Sequence, residues 1–446
     1  MQPSTEPEPI QETSECDVLV IGGGPAGSTV AALLAQKGHD VLLLDKDRHP
    51  RFHIGESLLP ANLPLFEKLG VGEEIRAISM TKWAAEFVSP RHAHKQAFYF
   101  SEAWDKSMPH SYQVRRSEFD QILLHNAARC GAQVFEGCKV TSVDLEATPE
   151  RACAQAVHDD GRRISVAPRF VVDASGRDTF LSSRFQIKHK NPRHNSVALY
   201  GHFAGARRNE GEDEGNITIF WFEHGWFWFI PLQDNITSVG MVTWPYFMKT
   251  RGERSLTQFL QDGIAMSPKL AECMADARLV NEVEATGNFS YSSERNHGRN
   301  YVMLGDAYAF VDPVFSSGVM MAMQGGFSGA DAIDTWLREP GRQAQVLKQL
   351  DKVLRHGPRQ FSWFIYRMTN PIMRDLFMGP RNPLRVKDAL LSVLAGDIYG
   401  RTPIWASLAL FKGIYYMSSL AQLPTALRAW RQRRYNIRAV ETGSTT

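Results

Sequence analysis

The chain has 446 residues, 43% of them hydrophobic and 11% aromatic, enough for a large core in two or three packed units and too apolar for wholesale disorder. Lys and Arg total 50 against 48 Asp and Glu, a net charge near +2, so no global electrostatic case exists for nucleic acid. The five cysteines (Cys16, Cys130, Cys138, Cys153 and Cys273) are odd in number, scattered and without a CxxC pair. Neither a disulfide framework nor a metal site is expected, and a reducing cytoplasm fits.

Residues 1–15 are acidic and rich in Pro, Glu, Ser and Thr, which predicts a short disordered tail and no secretory leader. Cys16 to Ile21 then reads as a buried parallel strand, Ser28 to Lys37 as a small-residue helix stopped by Gly38, and Asp40 to Leu44 as a second strand. A helix is predicted over 113–131 and a strand over 133–145. A hairpin over 154–157 and 163–166 precedes another buried strand at 169–173. Residues 196–244 read as antiparallel strands interrupted by a charged loop at 207–215. A short strand at 299–304, a small-residue helix at 320–336 and amphipathic helices to about 438 complete the chain. No apolar run reaches the roughly 20 residues of a spanning helix; the nearest, Ile404 to Leu420, is broken by Lys412 and Gly413.

Gly22-Gly23-Gly24-Pro25-Ala26-Gly27 sits between the first strand and its helix, with Asp45 closing the next strand. Gly22 allows the tight turn, Gly24 admits a pyrophosphate close to the backbone, and Gly27 lets helix and strand pack. The helix N-terminus faces the phosphates with its partial positive charge, and Asp45 accepts from ribose hydroxyls. Strand, glycine loop, helix and acid in register predict dinucleotide binding.

The loop, followed in order by Val114-x-Arg116-x-x-Phe119-Asp120, by Val171-Val172-Asp173-Ala174-Ser175-Gly176 and by Leu304-Gly305-Asp306-Ala307, resembles the motifs of FAD-dependent monooxygenases with the p-hydroxybenzoate hydroxylase fold. That resemblance covers about three-quarters of the chain. It implies FAD, with Asp306 at the ribityl–pyrophosphate region, Arg116 near the cofactor and Val140 beside the adenine. It extends the cofactor contacts to Ala26, Lys46, Glu56, Ser57, Pro313, Gly318 and Val319. A single GxGxxG loop fits FADH2 delivered by a separate flavin reductase.

Three features resemble flavin-dependent halogenases in particular. Gly225 to Pro231 carries WxWxIP, and the resemblance makes Trp226 and Trp228 flavin-shielding residues on the substrate side. Lys82, about 55 residues beyond the glycine loop, matches the catalytic lysine that positions hypohalous acid. Asp312 to Val319 resembles a halide-and-flavin loop, which implies halide contact at Ser317 and Gly318 through N–H groups at a helix start. Phe315, which the resemblance likewise places on the substrate side, stands where free-tryptophan halogenases carry Glu. The resemblance therefore favours a phenolic or pyrrole substrate, including one tethered to an acyl carrier protein. An aromatic hydroxylase or prenyl-lipid reductase on the same scaffold is the alternative.

Other features read as structural: His53 as a hydrogen-bonded histidine, and His92 and His94 as part of a surface strand. Residues 401–446 hold seven Lys or Arg and one acid. Their basic amphipathic character fits a pocket lid, a peripheral contact with anionic lipid, or an acidic carrier protein met by Arg428, Arg431, Arg433, Arg434 and Arg438. The predicted fold class is α/β, with a Rossmann-type FAD-binding domain over 16–190 and 285–340, to which 80–112 adds on the substrate side. A mixed antiparallel-sheet substrate domain covers 191–284 and a helical C-terminal region 341–446. The oligomeric state stays open.

Overall fold

The computed structural model describes residues 13–287 and 290–438. Its first sheet is seven-stranded. Thr13–Ile21 lies between Arg163–Asp173 and Val41–Leu44, all parallel, while Gln133–Phe135 and Tyr301–Met303 extend the parallel set. Cys153–His158 and Cys138–Asp144 add antiparallel strands. Helices cover this sheet, so its centre is apolar throughout: Val18, Leu19, Val20, Leu43, Phe170, Val171 and Val172 are all fully buried.

The element bounds differ from the sequence reading at three places. The first strand opens at Thr13, inside the segment expected as tail, because Thr13 to Glu15 pair with Ser165 to Ala167. The strand expected over 133–145 breaks at Glu136 and Gly137, where Gly137 takes φ +67°. Its two halves join different partners, Val41–Leu44 and Cys153–His158. The two strands expected over 163–173 are one strand, which carries Pro168 opposite Cys16.

The second sheet has eight strands. Gly225–Pro231 runs between Ile217–Phe222 and Ile236–Thr243, antiparallel to both. Ala84–Val88 joins the edge of Ile217–Phe222 in parallel and carries Lys95–Tyr99 beyond it. Alternation splits the aromatic run by face. Phe227 and Phe229 pack with Phe259 and Leu260, whereas Trp226, Trp228 and Ile230 share a core with Phe361, Phe364, Phe377 and Leu390 of the C-terminal helices. Those helices, Gln343–Ile365, Pro371–Met378, Val386–Leu394, Trp405–Ala421 and Leu423–Arg438, thus cover the tryptophan face. Among the described residues no helix is long and apolar enough to cross a membrane.

Candidate active site

The glycine loop forms one end of a cavity of about 800 Å³. Gly22 takes φ +102°, and a Cβ there would lie 2.5 Å from the Ala174 carbonyl oxygen; a Cβ on Gly27 would lie 1.9 Å from the Gly22 oxygen. Both positions therefore admit only glycine, for packing reasons. Gly24 is different. A Cβ there meets nothing closer than Arg51 Nη2 at 3.9 Å, so the space it faces is the cavity itself. Asp45 shapes the loop from below: Oδ2 accepts from Gly23 N at 2.7 Å and Oδ1 from Asp47 N at 2.9 Å.

Asp45, Lys46, Ala26, Arg116 and Val140 line the same cavity. Lys46 Nζ donates to Asp178 at 2.5 Å. Arg116 is locked by a bidentate pair with Asp120 at 2.8 and 3.0 Å, and its Nη1 donates to the Ile54 carbonyl at 2.8 Å. Asp306 is the middle residue of a single 3₁₀ turn, Gly305–Ala307, on the cavity wall. Burial raises its carboxyl to about 6, opposed by Arg116 and Arg177. Arg51 and Arg177 also line the cavity; Arg177 lies just beyond the Val171 to Gly176 motif, and only the fold reveals it.

Trp226, Trp228 and Ile230 wall the cavity opposite the helical layer. The two indoles lie 6.1 Å apart, and Trp228 Nε1 donates to Ser238 Oγ at 3.1 Å. Gly240 on the neighbouring strand makes room for them, since a Cβ there would sit 2.1 Å from Trp228 Cζ2. Cross-strand pairing supplies that information and the local motif does not.

Glu56 and Ser57 lie on the wall, with Lys82 directly behind them. Lys82 is 1% exposed. Its Nζ donates to Ser57 Oγ at 2.9 Å and to the Leu58 carbonyl at 2.5 Å, and lies 5.3 Å from the Phe100 ring centre. No carboxylate pairs with it among the described residues, and burial brings the amine down to about 7. Glu56 Oε1 lies 2.8 Å from His202 Nε2, while its buried Oε2 has no hydrogen-bond partner. His53 donates from Nδ1 to the Ile54 carbonyl at 2.7 Å, and burial lowers it to about 4. It is neutral at physiological pH.

The loop 312–319 closes the far end. Asp312 caps it through Oδ1, which accepts from Val314 N at 3.2 Å, and Ser316 takes the left-handed conformation at φ 55°. Gly318 then starts a 21-residue helix. Pro313, Gly318 and Val319 face the cavity, and a Cβ on Gly318 would meet nothing within 4 Å. Two expected residues stand elsewhere. Phe315 is not on the substrate side of the wall; it packs into the core, 6.3 and 6.1 Å from the rings of Phe361 and Phe364. Ser317 is 1% exposed and off the wall, with its Oγ unpartnered.

Two further expectations change. His92 and His94 lie in the turn between Ala84–Val88 and Lys95–Tyr99, not on a strand, and His94 Nε2 bonds the Met378 carbonyl at 2.7 Å. Arg433 is only half exposed: it stacks against Trp244 and Tyr366 at 5.5 and 5.6 Å. Arg428, Arg431 and Arg434 are exposed; the side chain of Arg438 lies outside the described residues.

The residues fit FAD. A glycine cradle with open space at Gly24, the Asp306 turn and open space at Gly318 all line the same cavity of about 800 Å³. Fold and site define an FAD-binding flavoprotein. The family model described as FAD binding domain matches residues 15–351. The chain is 33% identical over 339 residues to a tryptophan 2-halogenase of Chondromyces crocatus, covering 73% of this chain and 62% of that protein. It is 29% identical to a 1H-pyrrole-2-carbonyl-[peptidyl-carrier protein] chlorinase of Pseudomonas fluorescens, covering 86% and 89%. Among solved structures, the myxobacterial chondrochloren halogenase superposes with a TM-score of 0.75 at 32% identity, covering 88% and 93%. The chain belongs to the flavin-dependent halogenases. It spans less than two thirds of the length of the first curated relatives it matches.

Proposed function

We propose that the protein halogenates an electron-rich aromatic ring, phenolic or pyrrole, presented as an acyl group on a carrier protein. The observation that carries this reading is Lys82: a buried amine without a carboxylate partner, one hydrogen bond behind the wall residue Ser57. Bound FAD, supplied reduced by a separate flavin reductase, and oxygen provide the oxidising equivalents that convert halide to hypohalous acid. The glycine cradle, Arg116 and Asp306 hold the cofactor. The Gly318 N–H, at the start of a long helix, favours an anion at the loop end of the cavity. Trp226 and Trp228 fill the wall between that end and Lys82 and exclude bulk water.

Lys82 does the positioning. With its amine near 7, ammonium and free amine are both populated at neutral pH. Ser57 and Leu58 occupy two of the ammonium's three N–H donors; the third donates to hypohalous acid that reaches the wall at Ser57 and polarises its halogen toward the ring. Ser57 and the Leu58 carbonyl fix the amine's direction. Phe315 packs against Phe361 and Phe364, away from the cavity, so the residue at that position takes no part in choosing the ring. The pyrrole-carrier relative, matched over most of both chains, supports the tethered substrate.

The test is to incubate the protein with reduced FAD, oxygen, and chloride or bromide, offering pyrrole-2-carbonyl on a carrier protein beside a free phenol. Halogenated product is read by mass spectrometry. Halide-independent oxygenated product from the same mixture would replace this reading with a hydroxylase.

A further inference from the structure

A second, wider groove runs between the C-terminal helices and the body of the molecule, with a volume of about 2,320 Å³. Eleven Lys and Arg side chains line it against one carboxylate, that of Glu223. The chain as a whole is almost neutral, so this asymmetry is local. Phe310 and Val311 belong to the walls of both the groove and the flavin cavity. The two spaces therefore meet at those residues.

Three of the guanidinium groups are held by aromatic rings, with no carboxylate within ion-pair distance among the described residues. Arg367 stacks on Trp363 at 4.4 Å and donates to the Tyr416 hydroxyl at 3.1 Å. Arg374 lies 5.4 Å from the Trp221 ring, is 8% exposed, and its buried Nε has no hydrogen-bond partner. Arg433, stacked on Trp244 and Tyr366, has a buried Nη1 that is also unpartnered. Burial lowers Arg374 and Arg433 to about 10, which leaves both cationic at neutral pH. Buried, rigid and unsatisfied donors of this kind are costly unless an anion completes them. Outside them, Arg428 and Arg431 border the exposed apolar side chains Leu427 and Trp430, which are 45% and 52% accessible. That rim matches a partner surface with apolar side chains set among acids.

We propose that this groove docks an acidic carrier protein, whose phosphate-bearing arm is held by Arg367, Arg374 and Arg433 and passes Phe310 and Val311 to set its acyl ring in the flavin cavity. This inference rests on the tethered-substrate reading and names its docking surface. A neutral free phenol or pyrrole has no charge to meet a polycationic groove of this width. The phosphodiester and acidic surface of a carrier protein do.

The experiment measures binding separately from chemistry. A fluorescent peptidyl carrier protein loaded with pyrrole-2-carbonyl is titrated with the full-length protein at low and high salt, beside phosphatidylglycerol vesicles. The double variant Arg428→Glu/Arg431→Glu, on exposed positions, should weaken carrier binding roughly tenfold or more at low salt, and high salt should weaken the wild type in the same direction. Arg374→Met should do likewise, and if it misfolds, the exposed double variant still decides. FAD affinity of the double variant should equal the wild-type value. Carrier affinity indifferent to both charge reversal and salt, or vesicle binding without carrier binding, overturns the proposal. Salt-sensitive carrier binding without halogenated product keeps the docking surface and defeats the halogenase reading. Halogenation of free aromatics by a protein that does not bind the carrier does the reverse.

Discussion

His194 Nε2 lies 2.8 Å from Asp312 Oδ2, and Ser196 Oγ donates to the same oxygen at 3.0 Å. This contact joins the segment before the large sheet to the loop that turns into the Gly318 helix. The other oxygen of Asp312 caps Val314 N, and Arg433 from the last helix reaches His194 Nδ1 at 3.3 Å. One carboxylate thus fixes the loop 313–319 against two distant parts of the chain.

Asp312→Ala removes the cap and leaves His194 and Ser196 without their acceptor. A lost cap costs about 1 kcal/mol, and an orphaned buried donor about 1–3 kcal/mol. Chemical denaturation should show a loss of about 2–4 kcal/mol, and FAD titration by flavin fluorescence should show weaker binding, since Pro313, Gly318 and Val319 lose their fixed positions. Asp312→Asn keeps the cap and should fall between. Wild-type FAD affinity in the Ala variant would show that the loop holds its shape without the carboxylate.

Gly24 and Gly27 separate two reasons for glycine. Gly24→Val places its branches in open cavity space, so the fold should persist with a melting temperature close to wild type, while FAD binding is lost. Gly27→Ala drives a Cβ to 1.9 Å from the Gly22 carbonyl oxygen and should give little folded protein. Thermal melts with and without FAD check both. Equal FAD affinity in Gly24→Val would remove the pyrophosphate from this loop.

Much of the fold was legible because its signals are local. Strand, glycine loop, helix and Asp45 follow one another within about thirty residues, and the tryptophans of Gly225–Pro231 alternate on a single strand. What escaped the sequence depends on chain crossings. Gly240 accommodates Trp228 only through cross-strand register, Glu56 meets His202 from a separate sheet, and Arg433 reaches His194 across 239 positions. Phe315 was misjudged for a related reason. Its motif neighbours line the cavity, but the left-handed turn at Ser316 follows a 3₁₀ turn that points Phe315 back to Phe361 and Phe364. The charge run at the C-terminus is uniform in sequence; helix packing half-covers Arg433 and leaves Arg428 and Arg431 outside.

Asp306 titrates near 6 because burial disfavours its charge. A raised carboxyl means that the folded state holds the proton where the unfolded chain has released it. Stability conferred by the protonated form is present below about pH 4 and is lost as pH rises through about 6. Asp306→Asn should flatten that decline in FAD-free protein. The variant should be the more stable above pH 6 and lose its advantage toward pH 4. Denaturation at several pH values checks this, and an identical pH slope in both proteins would discharge Asp306 from it.

Lys82 carries the opposite sign. Its amine falls from 10.5 to about 7 on burial, so between those values the unfolded chain binds a proton that the folded protein does not. Stability therefore rises with pH across that window, and the penalty of the buried ammonium is complete below about pH 7. Lys82→Met, close in length and apolar, removes the penalty. It should be more stable than the wild type by a few kcal/mol, on the order expected for a shift of this size, at pH 6–7. The gap should close toward pH 10. Halogenation should disappear in the same variant, because no group is left to hold hypohalous acid near the ring, while FAD binding and oxidation of reduced flavin by oxygen continue. Paired denaturation curves and product analysis by mass spectrometry read the two effects from one protein. A variant that gains stability but halogenates at the wild-type rate would make Lys82 a buried structural amine. A variant that loses both stability and FAD binding would mean that Lys82 holds Ser57 and Leu58 in place for the cofactor, and does not act on the halogen.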